Sequence, residues 1–345
     1  MKHSFGSDNH SGVHPIILEA INKQNKDFEI AYGEDNYTLG VLSKLEDLLG
    51  GNCKAFFVMN GTGANVVALS CFVKSYNSIL APNTAHINVD ECGAPEVITG
   101  SKIIALKALN GKVNLRTVQE ALTGFGFQHH SQPKILSISQ PTELGTLYST
   151  QEIKELADLL HQHKCFLHID GSRISNASAA LKMPIKSFTA DCGIDVLSFG
   201  GTKNGLLMGE AVIIFNNSII ADELPYFRKQ ACQLYSKNRF IAAQFEAYLK
   251  DDLYLKLAEH SNSMALYLAD CLKRFSEIKI SKSVESNAVF AIVPKWISNA
   301  LQKKHFFYIW DENEYELRWM CSFNTEKKDI DCFINDIEDI IKAKP

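Results

Sequence analysis

The sequence predicts an α/β protein, with a large unit on a mainly parallel seven-stranded sheet and a small C-terminal α+β unit. Three observations carry this expectation. Short apolar runs rich in strand formers alternate with helical stretches from Ala55 to Asn217, the rhythm of a parallel sheet covered by helices on both faces. Several of those runs end abruptly in small residues: "NGTGAN", "HIDGSR" and "SFGGTKNG". After a long helical region the pattern changes to short strands and one closing helix.

Taken in order, the first fifty residues read as helical and polar around a loop, "EIAYGEDNYT" (Glu29–Thr38). The segment "TLGVLSKLEDLLGG" then places Leu39, Leu42, Leu45, Leu48 and Leu49 on one helical stripe, stopped by Gly50 and Gly51. A strand over Ala55–Met59 leads through "NGTGAN" into a helix. The remaining six strands are "SILA", "KIIALKA", "KILSISQ", "CFLHIDG", "VLSFGG" and "AVIIFNN". Between two of them, Ser149–Lys164 reads as a helix capped by Ser149 or Thr150, with Glu152 reaching back. The run "RFIAAQFEAYLKDDLYLKLAEHSNSMALYLADCLKRF" is helical; "AVFAIVP", "FYIWDE" and "YELRWMCSF" are strands, and "EKKDIDCFINDIEDIIKAK" closes the chain as a helix. The division is expected at residues 1–249 for the large unit, with the N-terminal segment, and 250–345 for the small one.

Composition is that of an ordinary globular protein, 46% hydrophobic and 21% charged over 345 residues. The net charge of −4 gives no reason to expect a nucleic-acid or anionic-membrane partner. Nine cysteines lack CxxC pairs or metal-ligand spacing, so free thiols in a reducing compartment and no metal are expected. The N-terminus lacks the apolar stretch of a signal peptide, and no run approaches the roughly 18 apolar residues of a spanning helix. A soluble cytoplasmic protein is the expectation.

In open α/β sheets, ligands bind outside the carboxyl ends of the strands. Four such places here carry reactive or binding residues. Gly61, Thr62 and Gly63 form a strand-to-helix turn before a helix expected to begin near Ala64, where backbone amides and the positive helix end suit a phosphate, although neither GxGxxG nor a P-loop is present. Asp170 ends a strand, with Arg173 just beyond. His86 follows the "SILA" strand. Lys203 ends the "VLSFGG" strand among glycines that leave little side-chain cover. Each alone is also explained by a turn, a surface ion pair, a structural histidine or a solvated lysine. Together they suit pyridoxal 5′-phosphate: phosphate on the helix start, pyridine nitrogen on Asp170, and the aldehyde in a Schiff base to Lys203. The glycines around Lys203 are expected to make room for the ring.

On the same residues the chain resembles the fold-type I pyridoxal-phosphate enzymes, and among them the low-specificity L-threonine aldolases with their phenylserine aldolase branch. The resemblance runs from "FGSDNHSGVHP" through "AYGEDNYT", "NGTGAN", "HINVDECGAPE", "ISQPTELGTLYS" and "HIDGSRISNA" to "SFGGTKNG" and "YELRW". It implies the fold of the PLP-dependent transferases. It also implies a homodimer or homotetramer with shared active sites that cleaves β-hydroxy-α-amino acids to glycine and an aldehyde. Lys203 resembles the Schiff-base lysine, Asp170 the pyridine partner, and His86 the residue stacked on the ring. Arg173 is similar to the arginine near the cofactor's 3′-oxygen and the substrate carboxylate; Arg318 and Ser7 resemble further carboxylate ligands. Gly61 and Thr62 resemble the phosphate cradle. The resemblance puts His129 near the substrate hydroxyl, and Tyr32 in a loop reaching the neighbouring site.

Three departures stand out. Thr202-Lys203-Asn204 replaces the usual Ser-Lys-Gly; Gln140-Pro141 replaces Glu-Asn; and "CQLYSKNRF" replaces a glycine-rich loop with an arginine that touches the partner's phosphate. Lys229 or Arg239 is the candidate for that charge. The base for the β-hydroxyl stays open between His86, His129 and a water. A β-eliminating lyase and a non-catalytic cofactor-binding protein are the rival functions.

Overall fold

The computed structural model describes residues 4–343. Seven strands form the large sheet: β1 (Cys53–Val58), β2 (Asn77–Pro82), β3 (Lys102–Leu106), β4 (Gln132–Ser139), β5 (Phe166–Gly171), β6 (Val196–Phe199) and β7 (Glu210–Phe215). Their order is β1-β7-β6-β5-β4-β2-β3; β7 runs antiparallel to β1 and β6, and the pairings from β6 to β3 are parallel. The expected seven-stranded, mainly parallel sheet is present. Along β7, Ala211, Ile213 and Phe215 enter one hydrophobic cluster while Val212 and Ile214 enter another. That alternation follows from successive side chains pointing to opposite faces, both covered here.

Helix ends follow local chemistry. Ser149 and Glu152 form the expected capping box at the helix Thr150–Gln162. The loop expected over Glu29–Thr38 is shorter at its end. Asp35 caps the helix Asn36–Leu48, its carboxylate accepting hydrogen bonds from Thr38 N and Thr38 Oγ1, each 2.7 Å. Tyr37 and Gly40 therefore belong to that helix. The long helical region breaks between Asn238–Leu249 and Leu253–Leu272, where Asp251 and Asp252 have φ of 52° and 55°.

The C-terminal strands are β8 (Lys279–Ile280), β9 (Ala288–Ile292), β10 (Tyr308–Asp311) and β11 (Glu316–Met320), an antiparallel sheet ordered β10-β11-β9-β8. The helix Lys327–Lys342 packs Ile330, Phe333, Ile334 and Ile337 into the same core as Trp319. The N-terminal segment reaches both units. Phe5 sits in this small core, bonded through its backbone to Phe306 and Met320, whereas Asp8 reaches Arg173 beside the large sheet. No helix among the described residues is long and apolar enough to cross a membrane.

Candidate active site

The carboxyl ends of β4, β5 and β6 bring the key groups together. Ser139, Asp170 and Ser198 lie side by side in register, and the lysine loop leaves the sheet at Phe199. Asp170 is buried. Its Oδ1 accepts from Ser172 N at 2.9 Å and its Oδ2 from Asn65 Nδ2 at 2.8 Å. Burial opposes its ionisation, but the Lys203 charge and the Asn65 bond outweigh burial and hold its carboxyl below the usual range. Two residues earlier on β5, His168 is enclosed between Ser137 Oγ (2.8 Å) and Ser198 Oγ (2.9 Å), and burial pushes it down to about 4.

Lys203 lies in a single helical turn, Thr202–Asn204. Among the described residues its amine makes no hydrogen bond and no ion pair within contact distance. Burial, then the nearby Arg173 charge, pulls its pKa down against Asp8, Asp170 and Glu210. A lysine so placed reaches its neutral, nucleophilic form more readily than a solvated one. Glu210, at the start of β7, holds the loop from below, accepting from Gly201 N at 2.5 Å; burial raises its carboxyl to about 7. The glycines beside Lys203 make room for protein rather than for a ring. A Cβ on Gly200 would fall 2.3 Å from Ser172 O, and one on Gly201 2.3 Å from Leu206 Cδ1.

The helix Gly61–Ser70 begins at the end of β1 with Asn60 as its cap, which takes Gly63 N at 2.8 Å. A Cβ on Gly61 would meet nothing within 4 Å, so there is open space beside the start of this helix. Gly63 serves a different purpose. A Cβ there would strike the carboxamide of Gln233, which also accepts from Met59 N at 3.0 Å. An open helix start, a buried carboxylate and a partnerless amine fit the three poles of pyridoxal 5′-phosphate. Gly61 and Thr62 would take its phosphate, Asp170 its ring nitrogen and Lys203 its aldehyde.

His86 opens a short helix after β2. Its Nδ1 lies 2.8 Å from Glu91 Oε1, and its backbone N donates to Glu143 Oε1 at 2.9 Å. The Glu91 bond raises its pKa against the effects of burial and Lys203. Arg173 is not free: its Nε and Nη2 bond Asp8 at 2.6 and 2.9 Å. Arg318 stands close by, its Nη2 on Gly6 O at 3.2 Å and its guanidinium over Trp310 at 4.7 Å; burial, then Arg173, lowers it to about 10. Ser7, between Gly6 and Asp8, caps the short turn Asp8–His10 through Asn9 N.

Two expected participants stand apart within one chain. His129 precedes the amino end of β4, edge-on to Phe127, and β4 carries the chain roughly 23 Å to the end that holds Asp170. His129 therefore stands at the opposite end of β4 from Asp170 of its own chain. Tyr32 is exposed at φ 66°, with Lys229 Nζ 5.3 Å from its ring centroid. Arg239 is used on Lys26 O and Asp27 O, both at 3.2 Å. A half-buried cation of that region is Arg228, which the sequence did not single out: it donates to Phe57 O at 3.2 Å, and burial lowers it to about 10.

Also missed were Asp8, Asn65, Glu91, Glu143, Glu210 and Gln233. Glu143 and Glu91 sat inside the quoted "ISQPTELGTLYS" and "HINVDECGAPE", and their acidic character near apolar strand ends was the signal available.

A family model described as beta-eliminating lyase matches residues 4–295. A low specificity L-threonine aldolase from a Pseudomonas species is 36% identical over 340 residues, covering 98% of each chain. One from Pseudomonas aeruginosa is 35% identical over 340 residues, with the same coverage. The solved structure of a Leishmania major threonine aldolase matches with a TM-score of 0.92 at 27% identity, covering 98% of this chain and 99% of that one.

Proposed function

The chain belongs to the beta-eliminating lyase family, in its low specificity L-threonine aldolase branch, and from that premise we propose that it cleaves β-hydroxy-α-amino acids with pyridoxal 5′-phosphate. It is a carbon–carbon lyase acting on amino acids, with glycine and an aldehyde as products. L-Threonine, L-allo-threonine and phenylserine are the substrates we put first. The single observation that carries the reading is the partnerless amine of Lys203 beside buried Asp170 at the sheet's carboxyl edge.

When bound, the cofactor supplies an aldehyde that reacts with amines and a ring that takes up the electron pair of a broken bond at Cα. The protein does the rest. Lys203 would offer a neutral amine to that aldehyde and can hold or release a proton at Nζ. Asp170, kept ionised, holds a proton on the ring nitrogen. Ser7, Arg173 and Arg318 bind the substrate carboxylate and so fix which bond at Cα is turned for cleavage. His86 covers the ring and handles the β-hydroxyl proton. His129 would join from another chain.

Shared sites are supported by the surface around residues 28–39, where Phe28 is 104% exposed and Ile30, Tyr32 and Leu39 are exposed beside it. We therefore take the active unit to be a homodimer or homotetramer, with Tyr32 reaching the neighbouring site. A reducing cytoplasm suits the nine free cysteines. The break at Asp251 and Asp252 supports a division between residues 249 and 250.

The test is product analysis with the three substrates. Equimolar glycine and aldehyde is the expected result. Pyruvate and ammonia from serine-type substrates would instead favour the β-eliminating chemistry that gives the matched family its name.

A further inference from the structure

His86 is held at both ends by acids, Glu143 on its backbone and buried Glu91 on its ring. The Glu91 side chain has no exposed surface, and it pairs with no lysine or arginine among the described residues. Its partners are His86 Nδ1 and Asn65 Nδ2, each 2.8 Å from Oε1, while its Oε2 is buried without a bond. Its neighbours Asp90 and Cys92 are exposed, and Cys92 and Gly93 turn the chain through φ of 51° and 70°. A buried acid with one orphaned oxygen is costly if packing alone is at stake, since an apolar residue would fill the space better. The second donor of Asn65 Nδ2 goes to Asp170 Oδ2 at 2.8 Å, so one amide joins the acid behind His86 to Asp170.

Resting on the aldolase reading, we propose that Glu91 is a positioning residue for His86, accepting the Nδ1–H bond and leaving Nε2 as the nitrogen that takes the β-hydroxyl proton, with Asn65 coupling the pair to Asp170. The same arrangement orients histidines elsewhere, where the partner of one ring nitrogen decides the tautomer and strengthens the other as a base. In the step it serves, the hydroxyl proton passes to Nε2 and the O–H electron pair becomes the second carbon–oxygen bond of the departing aldehyde. The Cα–Cβ pair stays with the glycine fragment, and the proton count closes when Cα takes up a proton. The charged groups facing His86 are Glu91 just beyond its own helix, Asp170 on β5 and Lys203 after β6, with Glu143 on its backbone N.

The experiment compares holoenzyme with its Glu91→Gln variant, which keeps an acceptor oxygen and loses the charge. A fall in kcat of about 10- to 100-fold is expected, with KM little changed because Ser7, Arg173 and Arg318 are untouched. The acid limb of the pH profile should move to lower pH, since the Glu91 bond is the largest contribution favouring the imidazolium. Nitrogen NMR of the wild-type holoenzyme should show His86 protonated on Nδ1 when neutral, a readout independent of turnover and of how the variant folds. An Nε2-protonated tautomer in an active wild-type aldolase would overturn the inference. So would a Glu91→Gln enzyme with unaltered kcat and pH profile. Absence of glycine and aldehyde from the wild type would instead overturn the aldolase reading beneath it.

Discussion

Asp8→Asn is the perturbation whose size the structure lets us work out. Asp8 is 1% exposed and bonds Arg173 twice, at 2.6 and 2.9 Å, with Asn287 Nδ2 at 3.1 Å. Burial opposes its ionisation, but Arg173, Lys203 and Asn287 hold its carboxyl at about 2 against an ordinary 3.8. That difference is worth about 2 kcal/mol of folding preference for the ionised form. A depressed carboxylate contributes this stability above pH 3.8 and loses it as pH falls toward about 2. The substitution removes more than this, because Arg173 keeps its charge in the interior with no counter-ion, and breaking such a pair costs about 3–5 kcal/mol. Loss of the counter-ion should dominate: at about 3 kcal/mol, a chain of this size should melt about 4 °C lower. Because the pair also holds the guanidinium in place, KM for the amino acid should rise more than kcat falls. Thermal melting and steady-state kinetics at neutral pH make the check. An unchanged melting temperature together with an unchanged KM would refute the idea that the N-terminal segment locks Arg173.

Asp170→Asn should retain cofactor through the helix start at Gly61 and Thr62 but lose at least tenfold in kcat, a barrier increase above about 1.4 kcal/mol; kcat near wild type would place the pyridine partner elsewhere. Mixing Tyr32→Ala subunits with Lys203→Ala subunits should restore part of the activity, because hybrid dimers carry one site free of both lesions. No complementation, with subunit exchange verified, would count against shared sites.

Much of the sheet was legible because its signals are local. The capping box at Ser149 and Glu152 lies within one turn, and the apolar runs of β2, β4 and β5 are bounded by small residues. The direction of β7 was not legible, since a strand buried on both faces looks the same in either sense. Lys203, Asp170, His86 and Arg173 were readable because each sits at a strand end where the residue type is out of keeping with its neighbours. What sequence hid was who holds them. Asp8 meets Arg173 across 165 residues of chain, and Asn65 meets Asp170 across 105. For His129, which the resemblance puts near the substrate hydroxyl, the sequence carries no sign that it stands before the amino end of β4, away from Asp170 of its own chain.

Cleavage of the Cα–Cβ bond of threonine-type amino acids at a site built on Lys203 is the activity proposed for this chain. The direct measurement is the yield of glycine and acetaldehyde from L-threonine and L-allo-threonine, by wild type and by Lys203→Ala, each with its visible spectrum. Equimolar products and a visible cofactor band are expected from the wild type, with both lost in the variant. Full aldol cleavage by Lys203→Ala, or pyruvate and ammonia in place of glycine and aldehyde from the wild type, would contradict it.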